Sequence, residues 1–243
     1  MEQGQFFYRE LASLYDQLFP VDPQAVSFIR DRVTPGRPVL DVACGTGSHL
    51  IALEGHGLEV YGIDYSPEMV EIAKMRRPDR VSRMDMRNIG DHAARPFSLI
   101  YSIGNSLSHL PLPGDVARFL AACRTSLMPE GGIILQTIDV SDLDHGAVLP
   151  LETLEGQDAR MKRSYTIGRA SLEGAKEIHF EALLHRPEGE PERIEQRLLG
   201  LSPSLVTAML EDSGFSGIQT TAGFSDTPYS EGGGRVVVFT AKV

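Results

Sequence analysis

The chain has 243 residues, with 33 acidic and 23 basic side chains and a formal net charge of -10. That length can bury a full core, as one large domain or a domain carrying an inserted lobe, and the acidic balance excludes a broad phosphate-binding surface. With only Cys44 and Cys123 present, a disulfide scaffold is excluded and a reducing, cytoplasmic setting is expected.

The first predicted elements are two helices, residues 6–19 and 21–32, the former presenting Phe6, Phe7, Leu11, Leu14, Tyr15 and Leu18 on one apolar face. This start has neither the basic region nor the unbroken apolar run of a secretory signal, and no later run is long enough for a bilayer, so no membrane association is expected. From Val39 strands and helices alternate: VLDVA, SHLIALEG, LEVYGID, PEMVEIAKM, RVSRMD, FSLIYSI, VARFLAACRTSL and GGIILQTI. Such alternation predicts βαβ units around a parallel sheet. Residues 160–200 then give three period-two stretches separated by turns, an antiparallel lobe. A helix capped by Ser202 and the strands IQTTAGF and RVVVFTAKV complete the chain. The expected organisation is N-terminal helices over residues 1–36, a Rossmann-like α/β domain over 37–140 and 201–243, and an inserted β lobe over 141–200.

In an open parallel sheet ligands bind beyond the carboxyl ends of the strands. Asp41 with Gly45 and Gly47 ends the first strand, Asp64 the second, Asp85 the third and Ser102 the fourth. Asp64 stands about twenty residues past the glycines, the separation at which a carboxylate meets ribose hydroxyls, and Asp85 with Met86 suits an adenine edge. Leu50 occupies the position where a dinucleotide fingerprint needs its third glycine, so S-adenosylmethionine fits better than NAD. The glycines can also serve only as turns, and the carboxylates and Ser102 only as helix caps.

The stretches VLDVACGTGSHL, VYGIDYSPEMVEIAK, RMDMRNI and FSLIYSIGNSLSHL resemble the successive motifs of class I S-adenosylmethionine-dependent methyltransferases. The resemblance covers residues 8–140 closely and the C-terminal strands more loosely. It implies a doubly wound seven-stranded sheet whose last strand is antiparallel, and an enzyme of the EC 2.1.1 type releasing S-adenosylhomocysteine. It further implies cofactor contacts from Asp41, Ala43, Gly45, Gly47, Asp64, Tyr65, Met69, Asp85, Met86, Ser102 and Ile103.

SIGNSLSHL and the lobe are similar to a narrower group, the glycine, sarcosine and amino-sugar N-methyltransferases. That similarity places Tyr15 as an aromatic closing over cofactor and substrate, Arg32 (or Arg30) toward the cofactor carboxylate, and Asn105 and His109 on the donor side, His109 as base. An amine acceptor must be neutral to react, which such an acceptor group favours; His109 could equally hydrogen-bond only its own loop. The remaining histidines are expected on solvated faces, and none has zinc-ligand spacing. The glycine enzymes carry an arginine just after the fifth strand, where this chain has Ile138, Asp139 and Val140, so glycine itself is not the expected acceptor. Asp139, Asp142 and Asp144 suit a cationic or polyhydroxy substrate, a divalent metal or simply an acidic surface loop. Arg163, Tyr165 and Arg169 suit a carboxylate or phosphate, or an outward strand face. Arg76, Arg77, Arg80, Arg83 and Arg87 read as a solvated helix end and turn rather than a nucleic-acid patch.

The expected partner is therefore a small-molecule methyl acceptor, with no nucleic acid, no membrane and no resident metal; a homodimer or larger homo-oligomer is left open. Nitrogen is the expected site of methylation. The alternatives are oxygen, an NAD(P)-linked oxidoreductase and a non-catalytic cofactor-binding protein.

Overall fold

The computed structural model describes residues 11–171, 174–230 and 234–243. Two sheets form it. The larger has the order β10-β11-β5-β4-β1-β2-β3, and the smaller is an antiparallel β6-β7-β8-β9 sheet.

In the large sheet β1 (Val39–Val42), β2 (Val60–Asp64), β3 (Val81–Arg83), β4 (Phe97–Ser102) and β5 (Leu127–Ile138) pair in parallel. β11 (Val236–Lys242) runs antiparallel between β5 and β10 (Ser216–Ala222). This is a Rossmann-like α/β sheet, doubly wound, with its last strand reversed. Helices α3 (Ser48–Glu54), α4 (Pro67–Arg76), α5 (Pro113–Ser126) and α6 (Pro203–Asp212) connect the strands. Three of them open on proline, which fits a first helical turn whose N–H has no intrahelical partner. β1 and β4 are buried along their whole length, as a sheet covered on both faces requires. Strand order reverses between β1 and β4, which directs a ligand to the carboxyl ends of these strands.

The N-terminal expectation needs correcting. Within the described residues the helix expected over 6–19 is interrupted by a turn at 12–14: Leu11 is helical, and α1 (Tyr15–Leu18) ends at Phe19 before Pro20 because a residue preceding proline is driven out of the helical region. Phe6 and Phe7 lie outside the described residues. Leu11, Leu14 and Leu18 do share a buried face, packed against the small sheet. The second helix is α2 (Pro23–Arg30), capped by the Asp22 side chain accepting from Gln24 N at 2.8 Å.

The lobe has four strands rather than three. β7 (Arg160–Ala170), β8 (Lys176–His185) and β9 (Glu192–Gly200) match the expected stretches, and β6 (Val148–Glu155) is added at the edge. Pro150 hides it in the sequence, yet an edge strand tolerates proline because one side of its ladder is unpaired. Among the described residues no helix is long and apolar enough to cross a membrane.

Candidate active site

The loop after β1 turns sharply because Ala43, Gly45 and Gly47 all have left-handed backbone, at φ 61°, 56° and 78°. Two of the three are glycine, which adopts this region without steric cost. Asp64 at the end of β2 holds the loop from across the strand pair: one carboxylate oxygen accepts from Gly45 N at 2.8 Å and the other from Ser66 N at 2.8 Å. Ser66 caps α4 through Met69 N. Burial raises the Asp64 carboxyl, against the lowering effect of the backbone amides. Burial likewise lifts Asp41 to about 7, with the Tyr101 hydroxyl opposing and the Asp64 charge reinforcing the rise.

Asp85, after β3, caps the 3-10 turn Met86–Asp91 by accepting from Arg87 N at 2.9 Å. The Arg87 guanidinium forks back onto Asp85, with Nη2 to Oδ2 at 2.6 Å, and extends Nη1 to Asp115 on α5 at 2.8 Å. Hydrogen bonding from Arg87 outweighs burial and holds Asp85 below the usual carboxylate range. The other arginines of this basic run also have partners: Arg76 with Asp16, Arg77 with Glu54, Arg80 with Glu59, and Arg83 with the Tyr65 carbonyl.

After β4, Gly104 N donates to the Gln136 side chain at 2.6 Å and Asn105 takes a left-handed φ of 62°. The 3-10 turn Ser106–His109 follows. His109 Nδ1 lies 2.9 Å from Gln196 Nε2 of β9, and burial pushes its imidazole down to about 4.

These strand ends and the lobe enclose one cavity of about 1150 Å³. Tyr15, Asp41, Ala43, Gly45, Asp64, Tyr65, Asp85, Met86, Ile103 and His109 all line it. The other five residues expected at the site stand off its wall. Gly47 is spent as the N-cap of α3, and Met69 is fully buried on the inner face of α4. Ser102 is also fully buried, its hydroxyl without a hydrogen-bond partner among the described residues, and its neighbours Ile103 and Gly104 reach the cavity instead. Asn105 donates to the Tyr165 hydroxyl at 3.2 Å and accepts from Ser108 Oγ and Ile138 N, so its amide is used in joining the two sheets. Arg32 lies over the Phe28 ring at 3.5 Å and reaches Asp226, while Arg30 pairs with Asp31.

Other expectations shift as well. His49, placed by its sequence on a solvated face, lines the cavity and accepts from Asp22 N at 3.2 Å. Asp139 accepts from Tyr229 and Ser141 N, and Asp142 pairs with Arg235 at 2.8 Å, so both serve the fold rather than the cavity. Arg163 donates to the Glu152 carbonyl and Tyr165 packs in the lobe core, whereas Arg169 reaches the cavity wall. Gln136 and Gln196 are wall residues that no sequence motif singles out, and Arg87, read from the sequence as part of a solvated turn, joins them.

A nucleoside sulfonium fits this arrangement. A small-molecule pocket usually measures ~300–1,000 Å³, so the cavity has room for a cofactor and an acceptor together. Acidic groups at three successive strand ends meet the hydroxyls and amines of such a ligand, and Gly45 leaves its path open: a Cβ there would stand 3.4 Å from the Tyr15 ring.

Comparison with known proteins agrees. A methyltransferase domain family matches residues 39–131. YqeM of Bacillus subtilis (strain 168), a protein carrying a methyltransferase name, is 30% identical over 236 residues, covering 90% of this chain and 91% of its own. A dTDP-3-amino-3,6-dideoxy-alpha-D-glucopyranose N,N-dimethyltransferase of Streptomyces fradiae is 30% identical over 55% of this chain and 48% of its own. A ubiquinone biosynthesis O-methyltransferase of Xanthomonas campestris pv. campestris (strain B100) is 32% identical over 50% and 52%. The chain thus spans about half the length of these last two. Among solved structures, the CcbJ methyltransferase of Streptomyces caelestis has a TM-score of 0.78 at 19% identity, covering 96% of each chain. S-adenosylmethionine-bound CalS10 of Micromonospora echinaspora, an amino pentose methyltransferase, has 0.69 at 20% identity over 95% and 94%.

The chain belongs to the class I S-adenosylmethionine-dependent methyltransferases, enzymes of the EC 2.1.1 type, and its cofactor is S-adenosylmethionine.

Proposed function

We propose that this enzyme methylates the nitrogen of a small-molecule amine, with cofactor and acceptor sharing the cavity between the two sheets. The observation that carries the reading is His109: a half-buried imidazole on the same wall as the cofactor-side residues, steadied by Gln196 at 2.9 Å and, with its pKa pushed down to about 4, neutral at pH 7. A neutral imidazole can hydrogen-bond a neutral amine without repelling it, and orienting a lone pair is most of what methyl transfer requires.

In this reading Asp64 accepts from the ribose hydroxyls and Asp85 with Met86 meets the adenine. The Ile103 backbone meets the ammonium, Tyr65 flanks the ribose, and Asp41, Ala43 and Gly45 shape the methionyl channel. Tyr15 covers the donor end. Bound S-adenosylmethionine supplies an electrophilic methyl group. The chain's own residues exclude water, hold the acceptor nitrogen in line and leave its proton to depart to solvent. The acceptor is a small molecule rather than a nucleic acid, a reading supported by the net charge of -10 and by the amino-sugar enzymes among the relatives.

Oxygen methylation is a second reading, favoured by the ubiquinone O-methyltransferase relative, because a neutral imidazole serves a hydroxyl equally well. A screen with methyl-labelled S-adenosylmethionine against amines, amino acids, amino sugars and phenols separates the two. Label is expected on an amine. Transfer only to phenols selects oxygen, and transfer to neither overturns the small-molecule reading.

A further inference from the structure

The short helix α1 touches both sheets through four consecutive residues. Tyr15 lines the cavity and stacks on Phe19 with ring centroids 4.8 Å apart. Asp16 faces the glycine loop: its Oδ1 accepts from Thr46 Oγ1 and from Ser48 Oγ at 2.8 Å, and its Oδ2 meets Arg76 Nη2 at 2.5 Å. Arg76 reinforces the junction by donating to the Thr46 carbonyl at 3.2 Å and to Ser48 Oγ at 3.1 Å. Gln17 exchanges two hydrogen bonds of 3.0 Å with Asp158 in the turn between β6 and β7. Leu18 is buried in the lobe cluster.

Thr46 follows Gly45 directly and, with Ser48 at the start of α3, brackets Gly47, so one carboxylate oxygen gathers the two hydroxyls at the end of the loop that shapes the cofactor channel. Thr46 is 1% exposed. Removal of Asp16 takes from its hydroxyl the only charged acceptor it has among the described residues and leaves Ser48 Oγ at 3.1 Å. Charged acceptors of this kind make the stronger hydrogen bonds.

We propose that Asp16 is a positioning residue for the cofactor site: by gripping Thr46 and Ser48 it fixes the glycine loop and seats Tyr15 over the donor end. Cofactor occupancy and docking of α1 are then coupled through one side chain. The proposal rests on the cofactor assignment and extends it to a residue that itself need not touch the ligand.

The test uses the full chain and S-adenosylhomocysteine as probe, reading affinity by calorimetry and amide hydrogen exchange by mass spectrometry. In the wild type the probe should slow exchange in residues 11–19 and 43–48. Asp16→Ala should bind about tenfold more weakly and lose the added protection of residues 11–19, while β5 peptides exchange as in the wild type. Thr46→Val, which removes the grip from the loop side, should act in the same direction, and the double variant should be no weaker than Asp16→Ala. Wild-type affinity and protection in Asp16→Ala overturn the proposal, and so does a lowered melting temperature with affinity intact, the mark of a purely structural role. If Asp16→Ala fails to fold, the same two outcomes are read from Thr46→Val. A wild type that binds no probe defeats the cofactor assignment itself.

Discussion

Gln196 Nε2 stands 2.9 Å from His109 Nδ1, so the last strand of the lobe grips the loop that follows β4. Burial lowers the imidazole to about 4, and a group so depressed is neutral across the working range. For an amine acceptor kcat/KM should therefore rise with pH along the acceptor's own titration, with no inflection from His109 between pH 5 and 9. His109→Ala should lower kcat about 10- to 100-fold while S-adenosylhomocysteine affinity, read by calorimetry, stays unchanged. The folded chain resists protonation that the unfolded chain accepts, so this group's stability contribution is complete above pH ~6.5 and falls as pH drops toward 4. The loss is at most ~3.4 kcal/mol, at ~1.36 kcal/mol for each pH unit between 6.5 and about 4, and a series of denaturant melts over that window reads it.

Asp64 accepts hydrogen bonds from the backbone amides of Gly45 and Ser66. Asp64→Ala should weaken S-adenosylhomocysteine binding by about 2–3 kcal/mol, roughly 30- to 150-fold, because it removes a charged acceptor and frees the Gly45 amide. Asp64→Asn should fall between the two. Titration calorimetry measures the ranking, and equal affinity in all three proteins would move the ribose elsewhere.

Asn105 is buried and serves Tyr165, Ser108 and the Ile138 amide with a single side-chain amide. Asn105→Ala should cost about 2–4 kcal/mol, since it strands more than one buried polar group and places alanine at a left-handed φ. Thermal unfolding gives the value. Fluorescence of a dye that binds exposed apolar surface should also rise as the junction between sheet and lobe loosens.

What a sequence exposes here is local. Glycine pairs, strand periodicity and the Ser66-Pro67 cap announce their backbone geometry, so the parallel sheet and the carboxylates at its ends are readable before any coordinates. Contacts between distant segments are not. Arg87 looks like one more charge in a basic run until α5 brings Asp115 to it from 28 residues away. Gln196 has no motif at all, because its role depends on His109, 87 positions earlier. Met69 and Ser102 sit next to the right residues but face the core, a choice set by packing that spacing alone does not reveal. Pro150 hides β6 for a different reason: its effect on a strand depends on whether that strand lies at an edge.

The lobe enters the chain after β5 and rejoins it before α6, leaving the register among β1, β2 and β3 independent of anything within it. Under the proposed reading, acceptor contacts come from both sides of the cavity, from His109 after β4 and from Gln196 of the lobe, so an altered insertion would bear on the acceptor and on the docking of α1 together.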